Sequence, residues 1–221
     1  MSSSGFTLIE LLVAISVMAL LAVLSWRGLD GIARSQAQTS QRADEVLNLQ
    51  AGLGQWKVDL DSLTQTPQIT SLAWDGRVLR LTRRASTGSD GLAVVAWTRR
   101  GEADGQWLRW QSPPVRTLGG WTDAWNRANV WSQTASVEDR AREVLITPLA
   151  NWQIFYFRDN AWSNSLSSAG SSSAGVPGSG QTGAPVVVPD GIRLVLELPP
   201  GQPLNGRVTM DWVRPTLGGD R

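Results

Sequence analysis

Between Phe6 and Trp26 the chain carries one formal charge, Glu10, and neither proline nor glycine. About 20 apolar residues in a helix, at ~1.5 Å rise each, span the ~30 Å hydrocarbon core of a bilayer. The run therefore reads as a membrane helix, and nothing stops the helix where the run ends. No proline occurs before Pro67, and the glycines come later, at Gly28, Gly31, Gly52 and Gly54. Further on, Val46, Leu49, Leu53, Trp56, Leu60 and Leu63 recur at spacings of 3, 4, 3, 4 and 3, which places them on one helical face. Followed backwards the stripe becomes small or polar between Ser35 and Asp44. The pattern predicts one helix from about Phe6 to about Leu63, on the order of 85 Å long. Its C-terminal half is expected to pack on a globular domain. A free-standing coiled coil gives the same spacing, but only about three heptads are apolar. Thr66-Pro67 ends the helix, because the residue before a proline is pushed out of helical geometry.

Composition narrows the chemistry. The chain has 221 residues, enough for one domain beyond the anchor, with 42% hydrophobic and 18% charged residues. A net charge of +1 offers no generic nucleic-acid surface. Cysteine and histidine are both absent, which removes disulfides, thiol catalysis, Ser-His-Asp chemistry and thiolate or imidazole metal sites.

Past the helix the chain reads as strands and turns. Arg77–Arg83, Leu92–Thr98 and Gln106–Gln111 are strand candidates separated by Gly-containing turns at Gly88–Gly91 and Gly101–Gly105, which suits an antiparallel meander. Gly119–Ser136 is Trp-rich and resists assignment. Val137–Ala150 is expected to begin helical at Glu138-Asp139-Arg140, and Trp152–Phe157 is a further strand. Asn164–Pro189 is rich in Ser, Gly, Pro and Ala, too poor in large apolar groups to offset its ordering entropy, and is expected to be a flexible loop. The G-x-G-x-x-G at Gly178–Gly183 lacks the strand and helix that a dinucleotide site needs. Ile192–Leu198 and Arg207–Val213 read as the last two strands.

Two residue classes invite functional readings. The 12 tryptophans are expected chiefly in the core and on half-buried sheet positions, with a sugar-binding face as the rival; Trp107 and Trp110 should fall on opposite faces of their strand. Asp59 and Asp61, two apart on the helix, cannot face each other. Asp90, Glu102, Asp104, Asp190 and Asp211 show no recognised calcium-loop spacing, so they are expected as solvated surface charge. Glu10 is the exception among the acids. A carboxylate at depth in a membrane helix costs about 2.5–3.5 kcal/mol on insertion scales, so it either faces a partner or lies near enough to the helix end to reach headgroup water.

Gly5-Phe6-Thr7-Leu8-Ile9-Glu10 ahead of a long apolar run resembles the processing signal of type IV pilins and type II secretion pseudopilins. A secretory signal peptide fits less well, lacking here its basic n-region and its small-residue cleavage site after the apolar stretch. The resemblance implies prepilin peptidase cleavage between Gly5 and Phe6, N-methylation of Phe6 and an assembly role for Glu10. One feature departs from it. The leader holds no Lys or Arg, whereas Arg27, Arg34 and Arg42 follow the run, and the positive-inside tendency alone would orient the anchor the other way.

Beyond the signal, Arg27–Gly31, Leu47–Leu63 with Trp56-Lys57-Val58-Asp59-Leu60, Leu79–Arg84 and Val137–Trp162 resemble the J-type minor pseudopilin of type II secretion. This likeness implies an α+β, pilin-like fold: a long N-terminal membrane-anchored helix packed on an antiparallel β-rich globular domain. The expected organisation is a leader at 1–5, a transmembrane part at 6–26, a periplasmic part of the helix at 27–63, and a domain at 64–221 with its flexible loop at about 164–189. It also implies a single-pass inner-membrane protein with its domain in the periplasm, acting with I- and K-type minor pseudopilins at the pseudopilus tip. No catalytic residue, cofactor, metal, nucleic acid or small-molecule substrate is expected. The rival readings are a type IV pilus minor pilin, against which the missing cysteines weigh, and a membrane-tethered carbohydrate-binding module. Intact-mass or N-terminal peptide analysis of protein from its native cell is expected to show a mature chain beginning with N-methylated Phe6.

Overall fold

The computed structural model describes residues 7–85, 91–102, 105–166 and 188–215. By contacts the chain divides into two units, Met1–Asp44 and Glu45–Arg221. Helix α1 runs Leu8–Asp61, within two residues of the range its periodicity predicts at either end. In the first unit its described side chains are exposed, and the helix is long and apolar enough to cross a membrane. In the second unit it is amphipathic: Leu49, Trp56 and Leu60 are buried, and Val46, Leu53 and Leu63 are half-buried.

The rest of the second unit is built on two antiparallel sheets. The first has five strands in sequential order, β1 (Leu72–Trp74), β2 (Val78–Arg84), β3 (Leu92–Arg100), β4 (Gln106–Gln111) and β5 (Glu143–Pro148). β2, β3 and β4 form the expected meander, with Leu79 opposite Trp97 and Trp97 opposite Arg109. The second sheet has the order β7-β6-β8-β9, from β6 (Asn151–Arg158), β7 (Ala161–Asn164), β8 (Gly191–Leu198) and β9 (Gly206–Val213). β6 and β7 are joined through Asp159 and Asn160, both at positive φ (49° and 61°). A two-residue hairpin turn of this hand asks for that conformation at both centres, and Asp and Asn tolerate it better than other non-glycine residues.

Strand alternation divides the first sheet between two helices. Leu79, Leu81, Val95, Trp97 and Trp107 point to one side, where Leu49, Trp56 and Leu60 of α1 meet them. The inner face of the second sheet joins the same core through Trp152, Ile154, Ile192, Leu194, Leu196 and Trp212. Val78, Val94, Ala96, Leu108 and Trp110 point the other way, onto α2 (Leu118–Gln133). Trp107 and Trp110 thus lie in different cores, as the two-residue period requires. The unassigned Trp-rich stretch is this second helix. Thr117 caps it, its hydroxyl accepting from the Gly120 amide at 3.1 Å, and Trp121, Ala124, Trp125, Ala128 and Trp131 make its buried face. α3 (Val137–Arg140) is the short helix expected at Glu138-Asp139-Arg140.

Of the expected loop at 164–189, residues 167–187 lie outside those described, as does Gly178–Gly183. Asn164, its expected first residue, closes β7. The turn at Gly88–Gly91 is described only at Gly91.

Two helix glycines differ in what the fold asks of them. A Cβ on Gly52 would lie 2.2 Å from Ile146 Cγ2, so only glycine lets α1 come this close to β5. A Cβ on Gly54 would meet nothing within 4 Å. Gly52→Ala is therefore expected to destabilise the second unit by about 1–3 kcal/mol through overpacking, and Gly54→Ala to stabilise it by about 0.4–1 kcal/mol. Trp56→Ala, at the fully buried centre of the seam, should cost about 3–5 kcal/mol. Chemical denaturation of the three purified variants against the parent chain checks all three values.

Candidate assembly site

Glu10 begins the helix rather than interrupting it. Thr7 occupies the cap position and Glu10 the third helical position, and the two make the reciprocal bonds of a capping box. The Thr7 amide donates to Glu10 Oε2 at 3.0 Å, and the Thr7 hydroxyl donates to the same oxygen at 2.8 Å. The Glu10 amide donates back to Thr7 Oγ1 at 3.4 Å. The carboxylate is exposed, and it sits where the helix dipole favours an anion. These contacts lower the cost of carrying a carboxylate in the apolar run and hold it at the leading end of the helix. The signal was present in Thr7-Leu8-Ile9-Glu10, the S/T-x-x-E pattern of a capping box. Gly5 and Phe6, the expected cleavage and methylation positions, lie outside the described residues.

A second polar cluster, which sequence reasoning did not single out, ties α1 to the sheet. Asp59 is fully buried and its carboxylate is ligated from three elements. Arg109 on β4 donates to it from Nε and Nη2, both at 2.8 Å. Trp97 on β3 donates its indole N–H at 3.0 Å, and Gln55, one turn back on α1, donates at 2.9 Å. Arg83 on β2 approaches with Nε at 3.5 Å. Gln111 Oε1 accepts from both Arg83 and Arg109 at 2.9 Å and so bridges the two cations. Burial lowers the Arg83 pKa, Asp59 opposes that shift and the Arg109 cation adds to it. Asp59 is fully buried, Gln55 and Gln111 at the margin are half-buried, and the bonds join α1 to three strands, so the cluster acts as a structural anchor.

Asp61, two residues on, turns to the second sheet. Trp212 donates its indole N–H to Asp61 Oδ1 at 2.8 Å, and Lys57 pairs with the carboxylate at 2.6 Å. Burial works to raise the Asp61 pKa; these two donors outweigh it and hold the carboxyl below its usual range. The two aspartates thus face different sheets, as their spacing requires.

The acids expected as solvated charge divide further. Asp211 is exposed, but forms a two-point pair with Arg193 at 2.7 Å for each bond. Asp190 pairs with Arg214. Asp90 and Asp104 lie outside the described residues. Glu143 on β5 receives Arg100 at 2.7 and 2.8 Å and the Trp131 indole N–H at 2.8 Å, pinning α2 to the sheet. Among the described residues no group of three or more acidic side chains could hold a metal ion. The tryptophans follow the core expectation: nine of the 12 are buried, and Trp26, Trp74 and Trp162 are the others.

Residues 1–26 match the model of the prokaryotic N-terminal methylation motif. No curated protein matches the chain. Among solved structures, the chain is similar to one in the crystal structure of the GspK-GspI-GspJ complex from the enterotoxigenic Escherichia coli type 2 secretion system. The identity is 13% and the TM-score 0.46, over 78% of this chain and 99% of that one.

Removing the Asp59 carboxylate strands Arg83 and Arg109 in the core. Asp59→Ala is expected to cost about 3–5 kcal/mol, the range for breaking a buried pair from one side. The triple change Asp59→Leu with Arg83→Met and Arg109→Met should recover much of that loss, because an apolar replacement of the whole buried ion cluster is often neutral. Denaturant unfolding of both variants checks the order.

Proposed function

We propose that this chain is a minor pseudopilin of the type II secretion system, of the J type, which helps initiate the pseudopilus at its tip and so supports export of folded proteins across the outer membrane. The observation that carries the reading is the methylation motif matched over residues 1–26, leading into an apolar helix whose far end is built into a β-rich domain. The J-type assignment rests on the resemblance of Arg27–Gly31, Leu47–Leu63, Leu79–Arg84 and Val137–Trp162.

In this reading a prepilin peptidase cuts between Gly5 and Phe6, and Phe6 is N-methylated. The cut leaves a new α-amino group one residue ahead of the Thr7 cap and about one turn from Glu10. The capping box then has a role in assembly. It holds the Glu10 carboxylate at the leading end of the helix, where the amine of a neighbouring subunit can reach it. A buried carboxylate is tolerated when paired with a cation, and the pairing fixes the axial register of adjacent helices. The partners are I- and K-type minor pseudopilins and the pseudopilus, with the anchor in the inner membrane and the domain in the periplasm. The chain performs no catalysis and carries no cofactor.

Deleting the gene in its native cell is expected to abolish export of type II cargo while leaving any type IV pili intact; loss of pili with export unchanged would assign the chain to a pilus instead. Glu10→Ala is expected to remain membrane-inserted and to be cleaved normally, while recovering much less of the I- and K-type partners on co-purification. Recovery equal to wild type would reduce Glu10 to a capping residue.

A further inference from the structure

Four strands end the two sheets, and three of them are blunted against a further strand. β1 has three residues and β7 four. β5 carries a register shift opposite Trp107 and Leu108 and ends on Pro148. Short, bulged or proline-ended edges are how sheets avoid adding strands. β9 has none of these devices. Its eight residues pair with β8 from end to end without a shift and include no proline.

The hydrogen-bond phase shows which groups β9 offers. The Arg214 amide donates to the Asp190 carbonyl at 2.9 Å, beside the Gly191–Val213 pair. Antiparallel pairs alternate between bonded and non-bonded. Gly206, Val208, Met210 and Trp212 therefore bond to β8, while Arg207, Thr209, Asp211 and Val213 turn their amides and carbonyls to the open edge. Among the described residues nothing outside the sheet bonds the backbone of those four. Their side chains stand exposed on the outer face. On the inner face Val208 and Met210 are only half-buried, because the apolar layer stops with them.

We propose that β9 pairs antiparallel with β9 of a second copy of this chain, about a two-fold axis at Thr209, joining two four-stranded sheets into one of eight strands. Self-complementarity selects that occupant and that register. With Thr209 opposite Thr209, Arg207 of each copy lies opposite Asp211 of the other. Within one chain Arg193 already pairs with Asp211, and Arg207 with Glu197. The joint continues these pairs into a row of alternating sign, Arg193, Asp211, Arg207 and Glu197, and the symmetry makes two such rows. Opposite charges set across strands stabilise a pairing, and like charges oppose it. On the inner face Val208 meets Met210, which carries the apolar layer through the joint. The bulk of Trp212 meets Gly206, where an added Cβ would find nothing within 4 Å. Sliding one copy by two residues sets Asp211 against Thr209 and Arg207 against Val213, and both rows are lost. The joint is one strand wide, well under the ~1,000 Å² of a durable interface. Pairing therefore depends on both copies being held by α1 in one bilayer, at high effective concentration. It rests on the geometry of the sheet and is independent of the secretion reading.

The chain has no cysteine, so an introduced pair reports without background. Full-length Arg207→Cys and Asp211→Cys chains, carrying different tags, replace the wild type in the native membrane and are oxidised there. The two positions would lie ~5.5 Å apart between Cα atoms, within the reach of a disulfide. Two copies of residue 207 would stand on the order of 14 Å apart across the axis, four residues of strand rise, and cannot be bridged. The expected result is a mixed disulfide joining the two tags, at least tenfold above the homodimer of either variant alone. Thr209→Pro in both chains removes an edge N–H that β8 does not use, at the kind of position where a strand tolerates proline. It is expected to leave the thermal melt unchanged and to cut the mixed disulfide about tenfold, the scale of the two central hydrogen bonds lost. No mixed disulfide, an equal yield from either variant alone, or a disulfide to a different protein would overturn the proposal. So would Thr209→Pro that melts and cross-links like its parent. If the proline variant melts early, the yield of the mixed disulfide over the single variants decides the proposal by itself.

Discussion

A carboxylate without solvent, Asp59, decides how α1 lies on the five-stranded sheet. Three of its hydrogen bonds come from the sheet, two from Arg109 and one from Trp97. Taking an aspartate and two arginines out of water is expensive, and apolar residues of the same volume are often as stabilising. What the ion cluster adds is direction. The two-pronged approach of Arg109 is satisfied at one axial position of the helix, and a slide of one turn, ~5.4 Å, would break all three sheet bonds at once. An apolar seam alone tolerates such slides far better, because leucine and tryptophan contacts are not directional.

The close approach that makes this possible is supplied by Gly52, whose missing side chain leaves room for Ile146. Asp61 then fixes the same end of the helix to the second sheet through Trp212. The last turns of α1 are thus held on two sheets by two aspartates, with Trp56 packed edge-on against Trp97 at 5.4 Å between them. Stability comes from the tryptophan core, and position from the acids.

The far side of the sheet follows the same division of labour. α2 contributes Trp121, Trp125 and Trp131 to the apolar layer, while the Trp131 indole and Arg100 converge on Glu143. Four of the buried indoles donate their N–H groups, to Asp59, Asp61, Thr82 and Glu143, whereas among the described residues the indole nitrogens of Trp56, Trp107 and Trp110 are buried without a hydrogen-bond partner. The high tryptophan count belongs to this core. Only Trp26, on the membrane helix, is largely exposed, at 74%.

The elements with strong periodicity were legible in the chain itself. The long helix, its buried stripe, the β2–β3–β4 meander and strands β6, β8 and β9 follow from spacings of 3.6 or 2 residues, which depend on backbone geometry alone. The capping box was equally legible in Thr7-Leu8-Ile9-Glu10. α2 was not, because its first turn carries Gly119 and Gly120 and its buried face is written in bulky tryptophans and small alanines, which propensity does not favour as helix; the sheet face it covers supplies what propensity withholds. β7 was missed because four residues give too little pattern, although Asp159-Asn160 marked its turn. Asp59 could not be recognised, since an aspartate on a helix reads as a surface charge until Arg109, 50 positions away, is brought beside it. Local periodicity determined the long helix, the face it buries and the longer strands; only the tertiary structure, by pairing residues remote in the chain, decided that the Trp-rich segment folds as a helix and which charges are taken out of water.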